Sequence, residues 1–252
     1  MNPTEVEKAL AVIQGIAARD AARAIENLDV TRYVEHAPYV ADGVAGLRAH
    51  IGGLPQENHR LEVVRALQDG PFVVVQAHGE VLGRNEFFDV FRFQDGLIVE
   101  HWAFAAPGGP PNPSGHTQVD GPTEPKELEN TEKNKAVVRD YYQTVHLSGQ
   151  HGRIPEYFTG DHCIRHEPGV VDGVAAFAHD LAVLTRNRTI DEIGMLLGQG
   201  DFVFLVATGT HEERPCLYVD LYRVEADKLV EHWGFPEEVP SREDRKNDNG
   251  ML

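Results

Sequence analysis

The stretch VEHAPYVADGVA at residues 34–45 returns, with changes, as IRHEPGVVDGVA at residues 164–175. The two copies are identical at seven of 12 positions and lie 130 residues apart. A second pair of blocks, DVFRFQDGLIVEHW at 89–102 and DLYRVEADKLVEHW at 220–233, is identical at six of 14 positions with an offset of 131 residues. Two matching blocks in the same order predict a tandem duplication, and this period is too long for a solenoid repeat. Each copy is therefore expected to be a whole domain, with one inserted residue near THEERPC at 210–216.

The segment between the two copies has the composition of a linker. Residues 107–125 are rich in Pro, Gly, Ser and Thr and lack apolar periodicity. We therefore expect a first domain over residues 1–106, a linker over 107–129 and a second domain over 130–239. Residues 240–252 are charged and polar, which predicts a loose or peripherally docked tail.

Within each copy, helical patterns come first and strand patterns follow. Residues 4–28 carry apolar side chains at helical spacing, and Thr4 with Glu7 forms a capping-box pattern. After the repeated loop, a short helical pattern precedes four strand-like segments, the last of which contains Val-Glu-His-Trp. Helices followed by an antiparallel meander within roughly 110 residues predict an α+β domain, in which the helices cover one face of a curved sheet.

Composition and charge limit the partners. Hydrophobic residues make up 41% of the chain and charged residues 25%, which is typical of globular domains. The formal net charge of −17 argues against a nucleic-acid partner, because a phosphate backbone needs a positive surface. No apolar run approaches the roughly 18 residues of a membrane span, and the N-terminus lacks the pattern of a signal peptide. With only two cysteines, no disulfide scaffold is expected. These features predict a cytoplasmic protein without a nucleic-acid or membrane partner.

The order of these elements resembles a known family. A helix, a His-x-Pro loop, an Asp-Gly helix, a meander and a Val-Glu-His-Trp end are similar to the SnoaL-like polyketide cyclases of the nuclear-transport-factor-two-like superfamily. The segments NPSGHTQVDGPTE at 112–124 and NDNGML at 247–252 resemble its predicted aldol-condensation-enzyme subgroup. The resemblance implies two tandem cone-shaped α+β domains, each with N-terminal helices packed on a curved antiparallel sheet.

The resemblance does not define a reaction. Relatives include cyclases, isomerases, dehydratases, epoxide hydrolases and domains without chemistry, and one fold hosts many functions. The subgroup usually ends in His-Trp-Asp, and an acid near this point is the proton-abstracting base expected of the cyclases. Here Ala103 follows Trp102 and Gly234 follows Trp233. Neither copy keeps that acid, which argues against the aldol-type mechanism of the family.

Asp89 is the first candidate for chemistry. Strand alternation places it on one face with Phe87, Phe91 and Phe93, and Asp220 occupies the equivalent place between two tyrosines. A carboxyl group among aromatic rings is desolvated, which raises its pKa and suits a general base or a protonated hydrogen-bond donor. The alternative is a structural acid that accepts hydrogen bonds from a neighbouring His or Arg.

Histidines supply the other candidates. His36 and His166 precede the conserved turn of each copy, where an imidazole can orient a substrate or shuttle a proton, or can instead fix the loop by bonding to backbone carbonyls. His78 lies on a strand of the first copy, and Thr208 replaces it in the second copy. This asymmetry is expected if only the first copy retains a site.

The repeated Val-Glu-His-Trp ends place His101 and Trp102 on opposite faces of a strand. Trp102 and Trp233 are typical of a core or an interface because of the area that they bury. No His-x-His, His-Glu-x-x-His or Cys-x-x-Cys spacing occurs, so no metal site is predicted. Glycine-rich nucleotide loops and a Gly-x-Ser-x-Gly motif do not occur either, and no cofactor is expected.

These patterns lead to two hypotheses of different kinds. In the first, a pocket in the first domain binds a small, mostly apolar carbonyl or hydroxyl compound, with Asp89 as base or acid and His78 and His36 positioning the substrate. His78 is also the expected hydrogen-bond donor to Asp89. The residues expected to bind the substrate in either domain are Phe87, Phe91, His101, Trp102, Asp220, His166 and Trp233. In the second, the protein is a non-catalytic ligand-binding or assembly module. We expect the two domains to pair through their sheets as an intramolecular pseudo-dimer, and a homo-oligomer is compatible with either hypothesis.

Overall fold

The computed structural model describes residues 2–55, 60–81, 83–184 and 187–252. The chain forms two compact units. Unit 1 comprises Met1–Pro107 together with Pro240–Leu252, and unit 2 comprises Gly108–Val239. Of the helices that the structure describes, none combines the length and the apolar character needed to cross a membrane.

Unit 1 consists of three helices and a five-stranded sheet. Its strands follow the order β1-β5-β4-β3-β2, with β1 parallel to β5 and the other neighbours antiparallel. The elements are α1 (Glu5–Ala18), α2 (Ala21–Ile25), β1 (Val34–Glu35), α3 (Gly43–Gly53), β2 (Arg60–Asp69), β3 (Phe72–Val81), β4 (Arg84–Gln94) and β5 (Leu97–Ala106).

Unit 2 repeats this plan. Its strands follow the order β6-β10-β9-β8-β7, again with the first pair parallel and the others antiparallel. The predicted α+β fold with two tandem domains is confirmed. The elements are α4 (Thr131–Tyr141), a π-helical turn (Tyr142–Leu147), a 3-10 helix (His151–Tyr157), β6 (Ile164–Arg165), α5 (Val174–Leu184), β7 (Arg188–Gln199), β8 (Phe202–His211), β9 (Arg214–Glu225) and β10 (Lys228–Glu238).

The inserted residue of the second copy lies where the sequence predicts it. In unit 2, β8 and β9 pair without interruption from His211 opposite Arg214 to Phe202 opposite Arg223. In unit 1 the pairing of β3 and β4 shifts register between His78 and Val81. Gly79 and Glu80 of β3 therefore form a bulge opposite the single Asn85 of the shorter β4, where β9 has one residue more.

The helices pack on one face of each sheet, and we call this helix-covered face the cup of the unit. In unit 1 the buried side chains of α1 join those of β3 and β4 in one apolar cluster that includes Phe91 and Phe93. The predicted capping box begins α1, because Thr4 accepts a hydrogen bond from the Glu7 amide and Glu7 accepts one from the Thr4 amide. Asp89 shares the cup face with these aromatic residues, as alternation along β4 predicts.

The linker and the tail each pack in one unit, and docking is one of the two states that the composition of the tail predicts. The segment after β5 packs in unit 2, where the Asn112 amide donates to the Arg165 carbonyl oxygen at 2.7 Å. The tail packs in unit 1, where the amide of Asn247 donates to the carbonyl oxygens of Ala37 and Val40 at 2.8 and 2.9 Å. Both asparagines are almost fully buried. Composition marks such segments as irregular, but it does not show that a buried Asn satisfies the backbone groups of a neighbouring loop.

We expect Asn247→Ala to lower the free energy of unfolding of unit 1 by about 1–3 kcal/mol, because the two carbonyl groups lose their donor in a buried site. The unfolding of unit 1 can be followed by Trp102 fluorescence in a Trp233→Phe background, since the chain has two tryptophans, one in each unit. Asp248→Ala is the control. Asp248 is the next residue along the tail, and its carboxylate is 70% exposed and pairs with Arg242, so its loss should cost little. Equal stability of the two variants would contradict a structural role for the tail.

Candidate functional site in the cup of unit 2

A cavity of about 60 Å³ lies in the cup of unit 2. Its walls combine aromatic rings with charged groups, which is the composition expected of a small-molecule site. The lining residues are Tyr142, His146, Arg165, Glu167, Phe177, Asp180, Leu181, Arg188, Tyr218, Asp220, Tyr222 and His232.

Local structure explains how these side chains meet. Tyr142 and His146 belong to the π-helical turn that continues α4, a type of turn that is frequent at functional sites. On β9, alternation turns Tyr218, Asp220 and Tyr222 toward the cup. His232 of β10 lies opposite Tyr222, and it is therefore a diagonal neighbour of Asp220 on the same face.

A chain of hydrogen bonds crosses the cavity wall. The Tyr142 hydroxyl donates to Asp220 Oδ2 at 2.6 Å, and Asp220 Oδ1 lies 2.8 Å from His232 Nε2. His232 Nδ1 lies 3.0 Å from Glu167 Oε1. The His232 imidazole thus bridges the carboxylates of Asp220 and Glu167, and Asp220 also accepts a hydrogen bond from the Tyr142 hydroxyl.

This arrangement shifts the pKa values of its members. Burial alone would lower the pKa of His232, but the charge of Glu167 and the hydrogen bonds with Asp220 and Glu167 raise it to about 9. Burial would raise the pKa of Glu167, but the charge and hydrogen bond of His232, with the charge of Arg165, lower it to about 2. At neutral pH His232 is therefore an imidazolium.

Arg165 completes the wall next to Glu167. Its guanidinium contacts Glu167 at 3.2 Å and Asp180 at 2.6 Å, and it lies over the Phe177 ring at 5.0 Å from the ring centre. Because Arg165 is only 3% exposed, it neutralises both acids in a site with little water.

Unit 1 contains a related chain of hydrogen bonds. Asp89 Oδ1 lies 2.9 Å from His101 Nε2, and His101 Nδ1 lies 3.1 Å from Glu35 Oε2. The Tyr33 hydroxyl donates to Glu35 Oε2 at 2.7 Å, and the Phe91 ring stacks on His101. Asp89 is 6% exposed. Asp89, His101 and Glu35 are thus all buried, whereas Asp220 lines a cavity.

Asp89 has the environment that the sequence predicts but a different partner. Burial raises the pKa of the Asp89 carboxyl, against the opposing hydrogen bond and charge of His101. Burial alone would lower the pKa of His101, but the charge of Glu35 and the hydrogen bonds with Asp89 and Glu35 raise it to about 10. The expected partner, His78, is exposed and lies 2.9 Å from Glu86 instead. His78 alternates with Ala77, a cup residue, so the prediction that His78 assists Asp89 is wrong.

His36 also lies away from Asp89. Its ring stacks on Trp102 with 4.5 Å between ring centres, and its Nδ1 donates to the Gly250 carbonyl oxygen at 3.0 Å. Trp102 and His101 are neighbours on β5 and point to opposite faces. His36 therefore fixes the tail of unit 1, which is the structural alternative left open by the sequence.

His166 and Trp233 repeat this arrangement in unit 2. The two rings stack at 4.5 Å, and Nδ1 of His166 lies 2.8 Å from the Thr117 carbonyl oxygen. Trp233 donates its indole hydrogen to the Asp120 carbonyl oxygen at 3.0 Å. Both residues therefore hold the segment that follows β5, and neither lines the cavity.

Within the described part of the chain, one group of side chains has the spacing of metal ligands: His116, Asp120 and His166, with donor atoms within 4.8 Å of one another. Nδ1 of His166 must carry hydrogen to bond the Thr117 carbonyl oxygen, so it has no lone pair for a metal ion. Nε2 of His166 lies 2.9 Å from Glu231. The group is better explained as a hydrogen-bonded network than as a metal site.

Several members of the cup were not predicted from the sequence: Glu35, Tyr33, Glu167, Arg165, Tyr142 and Arg188. A signal for the two acids was present in the sequence. When the His-x-Pro blocks are aligned, Glu35 aligns with Arg165, and Glu167 aligns with Ala37. Each repeat thus keeps one acid beside its central histidine but takes it from a different position.

Comparison with known proteins gives matches to solved structures alone. No protein-family model and no curated protein matches the chain. A protein provisionally named a ketosteroid isomerase, from Kribbella flavida, has 15% identity and a TM-score of 0.40 over 44% of this chain and 83% of its own. A provisionally named polyketide cyclase from Acidithiobacillus ferrooxidans has 16% identity and a TM-score of 0.36 over 45% and 91%.

A nuclear-transport-factor-two-like protein from Burkholderia xenovorans has 21% identity and a TM-score of 0.36 over 42% of this chain and 91% of its own. Likeness at this level gives no information on reaction or substrate.

Proposed function

We propose that unit 2 performs cofactor-independent acid/base chemistry, of the isomerase, dehydratase or cyclase type, on a small carbonyl or hydroxyl compound. The observation that carries this proposal is the placement of Asp220 in the wall of a cavity, bonded to a protonated His232 and to Tyr142. The sequence favoured Asp89 of unit 1 for this role, but that carboxyl group is enclosed by its own core. The proposal therefore moves to the equivalent position in the second repeat.

In this mechanism Asp220 is the base. Its carboxylate takes a proton from the carbon next to a carbonyl group, and it returns the proton to another atom of the same molecule. While Asp220 holds the proton, the negative charge lies on the substrate oxygen, where a hydrogen-bond donor must stabilise it. Tyr222 lines the cavity, and burial raises its pKa well above the usual range, so its phenol keeps the proton that it can donate.

The second candidate is binding without turnover. The cavity of about 60 Å³ is well below the roughly 300–1,000 Å³ of pockets that enclose drug-sized ligands. A cup of this size holds a compound of only a few heavy atoms unless its wall moves. In the non-catalytic alternative, the hydrogen-bonded chain completes the packing of unit 2 and the cup serves recognition alone.

Proton exchange tests the proposal without a known substrate. In deuterated water, the wild-type protein is expected to accelerate loss of the methyl protons of acetone or pyruvate, which proton NMR records. Asp220→Asn keeps the shape and removes the proton acceptor, and we expect it to lower the exchange rate by about 10²–10⁴-fold. Asp89→Asn is the matched control in the other repeat and should leave the rate unchanged while lowering the stability of unit 1. Exchange that persists in Asp220→Asn would remove Asp220 from the mechanism, and no acceleration by wild type would favour the binding alternative.

A further inference from the structure

Arg188 differs from the other basic groups of the cavity. Its guanidinium lies over the Tyr218 ring, 5.2 Å from the ring centre, and its Nε is buried without a hydrogen-bond partner. Among the described residues, no carboxylate forms an ion pair with Arg188. Arg165 by contrast contacts two acids, and His232 also contacts two. Arg188 is thus a cation in the wall of a small cavity that forms no ion pair with a described carboxylate.

A second polar atom is unpartnered in the same wall. Nε2 of His146 is buried without a hydrogen-bond partner, and the His146 ring contacts Tyr142 at 4.5 Å. Burial, together with the charge of Arg188, lowers the pKa of His146 well below its usual range. This neutral imidazole can donate one hydrogen bond to a ligand. Nε of Arg165 is a third buried atom without a partner in this wall. Buried polar atoms normally have partners, so three such atoms in one cavity indicate a polar ligand.

The charges of the lining favour an anion at this point. The lining has three acidic side chains, Glu167, Asp180 and Asp220, and contacts from Arg165 or His232 reach each of them. Each of these acids therefore has a cationic partner other than Arg188. An anion beside Arg188 adds the ion pair that Arg188 lacks, and planar guanidinium groups bind carboxylates through two parallel hydrogen bonds.

We infer that the cup of unit 2 binds a small carboxylate compound, with its anionic group on Arg188 and His146 and its carbonyl end toward Asp220. This inference rests on the proposed function for the orientation of the ligand, and on the unpartnered Arg188 for its charge. It narrows the substrate class from a mostly apolar carbonyl compound to an oxo acid or hydroxy acid of a few heavy atoms.

A matched pair of probes tests the charge requirement. Pyruvate and pyruvamide have nearly the same shape, but only pyruvate is an anion. We expect wild type to bind pyruvate at least about tenfold more tightly than pyruvamide in an NMR titration, and Arg188→Gln to remove that difference. Arg153→Gln is the control, because the same substitution is made in the same unit at an exposed residue that pairs with Glu156. Arg188→Lys keeps the charge and should retain part of the preference, and Trp233 fluorescence reports whether each variant is folded.

The outcomes separate this inference from the proposed function. Equal binding of the two probes, no binding of pyruvate, or unchanged pyruvate binding in Arg188→Gln would each overturn the inference. None of these results depends on proton exchange. If pyruvate binds through Arg188 but no exchange occurs, the carboxylate site stands and the catalytic proposal fails.

Discussion

Glu35→Gln is expected to lower the free energy of unfolding of unit 1 by about 3–5 kcal/mol, which is the usual cost of removing one partner of a buried ion pair. Glu35 is fully buried and accepts hydrogen bonds from Tyr33, from His101 and from the Ala37 amide. The amide of Gln keeps the size of the side chain but offers one acceptor oxygen and no charge. His101 then remains buried with Asp89 as its only acid within hydrogen-bond distance. Urea unfolding at pH 7, followed by Trp102 fluorescence in the Trp233→Phe background, measures the change.

Glu100→Gln is the matched control for this prediction. Glu100 lies on β5, the strand that carries His101, and it pairs with Arg92 at 2.7 Å with a quarter of its side chain exposed. Solvent screens such a pair, so the loss should be about 1 kcal/mol or less. If both variants lose the same stability, or if Glu35→Gln loses less than the control, the buried chain does not stabilise unit 1. The double variant with His101→Gln then shows whether the two residues are coupled.

The fold was predictable because its signals are local and repeated. Strand alternation placed Asp89 correctly on the aromatic face of β4, and the two blocks of identical residues established that unit 2 repeats unit 1. The change of offset from 130 to 131 even located the inserted residue. These features depend on neighbours along the chain, which the sequence displays directly.

The partners within the site were not predictable in the same way. Alternation divides β3 into two faces but does not show which face points into the cup. The pairing of His78 with Asp89 depends on that choice of face, which the sequence does not determine. His101 bonds Asp89 because Ala103, two residues further on, lies directly opposite Asp89 in the sheet. Glu35 lies beside His101 because β1, a strand of two residues, pairs in parallel with β5. The two residues are 66 positions apart, and so short a strand shows no periodic pattern in the sequence.

The choice between the two repeats also required the structure. The sequence favoured the first repeat because His78 has no counterpart in the second. Our proposal rests instead on the surroundings of two equivalent acids, Asp89 and Asp220. Phenylalanine rings and an enclosed core surround the first, whereas the second receives a Tyr142 hydrogen bond at a cavity wall. A tyrosine at helical spacing is as compatible with a core as with a site, so the pattern alone does not distinguish them.

Raising the pH from about 6.5 to about 10 is expected to lower the free energy of unfolding of unit 1 by about 5 kcal/mol through His101 alone. The pKa of His101 is about 10 in the folded protein, against 6.5 for an ordinary histidine. Below pH 6.5 both states hold the proton, and the stabilisation is fully present. Above pH 6.5 the unfolded chain releases the proton that the folded state keeps, so stability falls until the folded state also releases it near pH 10. Urea unfolding of the Trp233→Phe background at pH 7, 8, 9 and 10 follows this loss.

His101→Gln separates this effect from the titration of other groups. The variant should be less stable than wild type at pH 7, and this difference in the free energy of unfolding should shrink between pH 7 and 10. Lysine and tyrosine contributions are common to both proteins and cancel in the difference. His78→Gln is the control. Burial raises the pKa of Glu86, the partner of His78, from 4.5 to about 7. The stabilisation due to the proton on Glu86 is therefore lost mainly between pH 4.5 and 7, below most of the range in which His101 acts. A slope above pH 7 that persists in His101→Gln would mean that another group binds the proton. A slope that disappears there but remains in His78→Gln would identify His101 as the group whose proton the two buried carboxylates retain.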